Sequence, residues 1–124
     1  MQLSWLVRGL RTGVLTTKYP RGPEAMPSGF RGLPTLDATR CHAVDGCDAC
    51  VRACLPAAIT VTDHQNGRRG VRFTLNYGAC IMCGLCVTAC PHDAMVMQSD
   101  YELATRDRDD LVYSANLNGV GEAS

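Results

Sequence analysis

Eight cysteines lie between positions 41 and 90 of this 124-residue chain. They fall into two copies: Cys47, Cys50 and Cys54 match Cys83, Cys86 and Cys90 at a constant offset of 36 residues. At the same offset Val51 meets Val87, Ala53 meets Ala89, Ala58 meets Ala94 and Ile59 meets Met95. Such self-similarity means one small unit used twice, and two copies of a cysteine unit imply two copies of one site. Aromatic residues make up only 6% of the chain. An ordinary core would be thin, and a chain this small is expected to rely on covalent or metal staples.

The second copy sets out Cys80, Cys83, Cys86, Cys90 and Pro91 as C-x2-C-x2-C-x3-C-P, the spacing of cubane iron–sulfur ligation in bacterial ferredoxins. Three thiolates two residues apart can wrap one cluster while loop N–H groups point at its sulfides. The fourth begins to leave on a short helix and ligates the other cluster. Gly84 lets the backbone approach closely, and Pro91 fixes φ where the chain departs. Zinc sites usually pair C-x2-4-C ligands across a longer run, a poor match to this pattern. Disulfides fit less well still.

The first copy, Cys41, Cys47, Cys50 and Cys54, has C-x5-C where C-x2-C is expected, and its proline, Pro56, comes one residue late. A four-ligand site survives if residues 42–46 bulge outward, which Gly46 makes easier. Val44 occupies the regular ligand position, so nothing replaces Cys41 in register. His42 and Asp45 are read as solvated loop residues.

Charge divides the chain. Residues 1–40 hold six basic and two acidic groups, a net of +4; the remainder holds six basic and ten acidic, a net of −4. The totals cancel, so bulk charge gives no nucleic-acid footprint. No apolar run approaches the roughly 20 residues needed to span a bilayer. Arg8 and Arg11 break the N-terminal apolar stretch and are not adjacent, as a twin-arginine signal would require. A cytosolic default follows, where thiols stay reduced and serve metal or redox chemistry.

Leu3, Leu6, Leu10 and Val14 form an apolar row at helical spacing. Pro20, Pro23, Pro27 and Pro34, with glycines between, then make an extended strap. Residues 1–35 are thus an amphipathic helix and docking arm, 36–98 a cluster domain, and 99–124 an acidic C-terminal tail. Within the domain, residues 58–62 and 71–75 read as strands around a turn at Asn66 and Gly67, and residues 94–97 repeat the strand after Cys54. The expected fold is α+β: a pseudo-twofold bacterial-type two-[4Fe–4S] ferredoxin with an extended N-terminal arm and a C-terminal tail.

The chain resembles the two-cluster ferredoxin subunits shared by respiratory complex I and the group 4 NiFe hydrogenases, including formate hydrogenlyase. Besides the cysteines, the likeness is carried by residues 12–20 (TGVLTTKYP), by Phe30, Arg31 and Gly32, by residues 101–104 (YELA) and by residues 108–113 (RDDLVY). It thus covers about residues 5 to 113; free bacterial ferredoxins share the cysteines and neither flank. The resemblance implies that Cys41, Cys47, Cys50 and Cys90 hold one [4Fe–4S] cluster, and Cys80, Cys83, Cys86 and Cys54 the other. It implies an electron relay without a catalytic site, on the cytoplasmic side of a membrane and held there peripherally by other subunits.

Two departures stand out: the insertion at 42–46, and a chain that stops soon after Tyr113 without the cysteine-rich extension of some formate hydrogenlyase members. The short C-terminus and the Thr12-Gly13-x-x-Thr16 arm favour a hydrogenase-type complex over complex I, with a free soluble ferredoxin as the remaining reading. His64 and His92 lack a matched nucleophile or base partner in sequence. The acidic run at 107–110 reads as a solvated face, and Met82, Met95 and Met97 as apolar cover for the clusters.

Overall fold

The computed structural model describes residues 4–13, 16, 19, 21, 22, 24–63 and 70–117. In chain order these form helix α1 (Ser4–Thr12), strand β1 (Pro34–Leu36), helix α2 (Ala49–Ala53), strands β2 (Ile59–Asp63) and β3 (Val71–Asn76), helix α3 (Leu85–Ala89), and strands β4 (Met95–Met97) and β5 (Val112–Leu117). Two 3-10 turns, Ala43–Asp45 and Asp109–Leu111, complete the described elements.

β3 shows why this segment extends. Val71, Phe73 and Leu75 point inward and are buried, whereas Arg72 and Asn76 are exposed, the period-two pattern of a half-buried strand. β2 brings β-branched Ile59, Thr60, Val61 and Thr62 against it, antiparallel, in a register from Ile59 opposite Leu75 to Asp63 opposite Val71. The turn expected at Asn66 and Gly67 lies outside the described residues.

The acidic tail is more than a tail. Residues 112–117 pair antiparallel with the other edge of β3, from Val71 opposite Leu117 to Asn76 opposite Val112. Sequence pattern did not reveal β5, because Leu117 is its one buried residue. The strand is held mainly by backbone pairing, which covers an edge of β3 that would otherwise be open.

A second, two-stranded sheet joins the ends of the cluster domain. Pro34, Thr35 and Leu36 pair with Met97, Val96 and Met95. The ladder runs on past both strands. Gly32 N–H donates to the Gln98 carbonyl (3.0 Å), Leu33 N–H to Asp100 (2.9 Å), Gln98 N–H to Leu33 (2.9 Å) and Asp37 N–H to Ala94 (2.7 Å). Pro34, with no N–H to give, stands at the first residue of its strand, where none is needed. The Tyr77 hydroxyl donates to the Pro34 carbonyl at 2.9 Å and ties the start of the second copy to this sheet.

The core lies between the three-stranded sheet and the cysteine-bearing turns. Phe73, Leu75, Ile59 and Met95 are its almost fully enclosed members, and Cys86 is buried with them. Cys41, Cys50, Cys54, Cys80 and Cys90 pack against it half-exposed. Met95 therefore belongs to the core proper, whereas Met82 and Met97 are half-buried.

Helix α1 follows the expected spacing and ends where Gly13 takes a left-handed φ of 66°, its N–H returning to the Gly9 carbonyl. Its apolar side includes Trp5 and Val7 as well as Leu6 and Leu10. All four are exposed, Trp5 at 72% and Leu10 at 79%. Leu3 and Val14, the outer members of the apolar row, lie outside the described residues.

Candidate iron–sulfur site

The 36-residue repeat continues into backbone geometry. Helices α2 and α3 occupy equivalent positions and end at Cys54 and Cys90, both extended. Beyond each, a left-handed residue turns the chain: Ala57 at φ 51° and Asp93 at φ 49°. The next N–H then points back at the sulfur, Ala58 to Cys54 Sγ at 3.2 Å and Ala94 to Cys90 Sγ at 3.3 Å. Gly46 (φ 88°) and Met82 (φ 53°) form another equivalent left-handed pair, each just before a cysteine. A left-handed φ is costly for a side chain other than glycine or asparagine. Ala57, Met82 and Asp93 hold it where loops must turn backbone N–H groups toward sulfur, as the 3.5 Å contact from Met82 N–H to Cys80 Sγ also shows.

The insertion does not bulge outward. Residues 43–45 wind into a 3-10 turn closed by Gly46, with Gly46 N–H on the Ala43 carbonyl (3.1 Å) and Cys47 N–H on the His42 carbonyl (3.2 Å). Ala43 is driven into the core at 6% exposure. Burying one methyl group stabilises the inward turn, and the extra length is absorbed within it. His42 is likewise more than a solvated loop residue. Its Nδ1 meets Asp45 Oδ2 at 2.9 Å, and its ring lies 4.1 Å from that of His92, tilted by 33°. The pair joins the inserted turn to the exit of the second copy. Spacing alone could not have found it, since the two rings lie 50 residues apart in sequence.

Cys41, Cys47, Cys50 and Cys90 line one small cavity, with His42, Pro91, His92, Ala94 and Met95 among the other walls. Cys90, from the second copy, thus faces the thiols of the first. Cys80, Cys83 and Cys86 lie near one another, close enough for charge on Cys80 and Cys83 to act on Cys86. Cys54 ends α2, which packs against α3. Among the described residues no three histidine, cysteine or acidic side chains converge closely enough to hold a single metal ion.

The acidity of these thiols follows their burial. Burial, with smaller contributions from neighbouring thiolates, pushes the Cys50 thiol up to about 11 and raises Cys41 and Cys86 above the usual thiol range. Nucleophilic and disulfide-exchanging cysteines need the opposite shift. Thiols raised in this way are ionised once a cation takes the proton's place, so metal loading releases protons.

Arg31 is a neighbour that the cysteine pattern does not reveal. Its Nη1 donates to the Cys83 carbonyl at 3.0 Å, and its side chain lies alongside Gly84.

The family described as a 4Fe-4S dicluster domain matches residues 40–94. NADH-quinone oxidoreductase subunit I 2 of Geobacter metallireducens is 34% identical over 103 residues, covering 80% of this chain and 79% of the relative. The protein of the same name from Symbiobacterium thermophilum is 35% identical over 106 residues, 80% of this chain and 44% of that one. Formate hydrogenlyase subunit 6 of Escherichia coli is 37% identical over 115 residues, 92% of this chain and 61% of that one. The chain spans about half the length of several of the curated relatives it matches, 44% of the Symbiobacterium protein and 50% of the NAD(P)H-quinone oxidoreductase subunit I of Gloeobacter violaceus. Among solved structures, a chain of the membrane-bound sulfane sulfur reductase, an archaeal respiratory membrane complex, aligns with a TM-score of 0.64 at 27% identity, covering 88% of this chain and 57% of that one.

Proposed function

This chain belongs to the family of 4Fe–4S dicluster subunits that includes NADH-quinone oxidoreductase subunit I, its cofactors are two [4Fe–4S] clusters, and from that premise we propose that it relays single electrons between other subunits of a membrane-associated oxidoreductase. The cavity shared by Cys41, Cys47, Cys50 and Cys90 carries the reading. These four would hold one cluster and Cys80, Cys83, Cys86 and Cys54 the other, each copy lending its last cysteine across the domain in a pseudo-twofold arrangement. Delocalised iron–sulfur units exchange one electron with little rearrangement, and two in one small domain make a relay. The protein's own part is to fix the thiolates, aim N–H groups at sulfur and limit solvent. Each of these sets potential.

The complex is proposed to be of the hydrogenase type, on the 37% identity to formate hydrogenlyase subunit 6 over 92% of this chain. The match to the Geobacter subunit, which covers 79% of that relative, favours a quinone-reducing complex as the second reading. The arm is proposed to dock. Its exposed Trp5, Leu6, Val7 and Leu10 want burial, and Arg8 and Arg11 beside them suit an acidic subunit surface or anionic headgroups. Among the described residues no helix is long and apolar enough to cross a membrane; attachment through partner subunits is part of the proposed reading.

Affinity purification of the full chain from native membranes tests the assignment. Recovery of a NiFe subunit, with hydrogen-dependent reduction of the clusters, is the expected result; recovery of quinone-site subunits alone supports the second reading. Removing residues 1–26 is expected to leave cluster content intact and to release the chain from membranes. Loss of clusters with retention on the membrane would show that the arm belongs to the domain.

The inserted turn should separate the two potentials. Deleting three residues within 42–46, restoring C-x2-C, removes Ala43 from the core and changes both solvent access and N–H donors at one site only. In a redox titration followed by electron paramagnetic resonance, one wave is expected to move and the other to stay. Equal movement of both would contradict the assignment of the turn to a single cluster.

A further inference from the structure

Arg31 is delivered to the second cysteine loop by a rigid piece of the arm. On one side of it the chain is locked into the ladder, Gly32 N–H on the Gln98 carbonyl and Leu33 N–H on that of Asp100. On the other, the Phe30 ring stands edge-on against Tyr101, with centroids 5.9 Å apart. Between these anchors the guanidinium reaches the Cys83 carbonyl at 3.0 Å and lies along Gly84. Among the described residues, the ion pairs engage Arg40, His42 and Arg52, and none engages Arg31. Its hydrogen bond thus directs its charge at the loop, with no ion pair to a carboxylate among the described residues, and arginine keeps that charge at every pH of interest.

We propose that Arg31 sets the potential of the cluster held by the Cys80, Cys83 and Cys86 loop, raising it above the value the cysteines alone would give. The inference rests on the relay reading. Reduction adds one electron and thus one unit of negative charge to the cluster, so a fixed cation nearby stabilises the reduced form more than the oxidised one. The hydrogen bond also ties up the lone pair of a carbonyl whose dipole belongs to a ligand-bearing residue. The arm thereby tunes the relay as well as docking it, and it acts on one cluster of the two.

The full chain, reconstituted with iron and sulfide, is titrated as wild type, Arg31→Gln and Arg31→Lys, with iron content measured in parallel. Arg31→Gln is expected to lower one potential so that the reduced-to-oxidised ratio at fixed potential falls about threefold, about 28 mV on the scale of 59 mV per tenfold for one electron. The affected wave is the one that the 42–46 deletion leaves alone. Arg31→Lys, which keeps the charge, is expected to recover most of the shift. Because the side chain is exposed, the difference should shrink in 1 M salt, where the screening length falls to about 3 Å. Two clusters with unmoved or equally moved potentials would overturn the inference alone. A shift that lysine does not recover would overturn its electrostatic basis. A wild-type chain that binds no clusters would overturn the relay reading as well.

Discussion

Replacing Cys90 with alanine is expected to lower the iron of the reconstituted chain from about eight atoms to about four, with the loss in the site of Cys41, Cys47 and Cys50. In sequence Cys90 completes the second motif, yet it stands at the end of α3 with Cys41, Cys47 and Cys50 lining the same cavity. Cys54→Ala is the reciprocal test and should spare the first-copy cluster. Iron and sulfide analysis gives the stoichiometry, and electron paramagnetic resonance of the reduced protein, compared with the 42–46 deletion, gives the identity of the survivor. Loss of the second-copy cluster in Cys90→Ala would mean that each motif serves itself.

Gly32→Ala is expected to be the most damaging small substitution in the arm. A Cβ at this position would lie 2.6 Å from the Gln98 carbonyl oxygen and overlap that of Asp100. Both are backbone atoms, so no side chain can swing aside, and the ladder between residues 32–33 and 98–100 must part. Overpacking typically costs 1–3 kcal/mol, and each weakened backbone hydrogen bond adds about 1 kcal/mol. A loss of about 3 kcal/mol is expected, a large part of the 5–15 kcal/mol typical of a domain. Denaturant unfolding of the loaded chain should show a lower midpoint at little-changed slope. Ala substituted at Gly22, which has open space around it, should leave the midpoint nearly where it was.

The cluster domain was legible because cysteine spacing and strand alternation are both local signals. Val71, Phe73 and Leu75 announce β3 by themselves, and the 36-residue offset foretells the matched helices. What escaped was non-local. β5 has one buried side chain and exists because β3 has an edge to cover. The residues at 42–46 turn inward because Ala43 finds room in a core assembled from distant strands. The His42–His92 contact and the Arg31 hydrogen bond each join residues about 50 positions apart, and no periodicity encodes such a meeting.

The two-stranded sheet has a consequence for how the molecule is made. β1 precedes the first motif, and its partner β4 follows the second. While the nascent chain is still emerging, β2 and β3 can meet early, but β1 must wait until residues 95–100 have left the ribosome. Closing so long a loop is slow relative to local pairing, and until it closes neither the inner walls around the thiols nor the perch for Arg31 exists. A finished site is therefore on offer only to a chain in which β1 and β4 have already met.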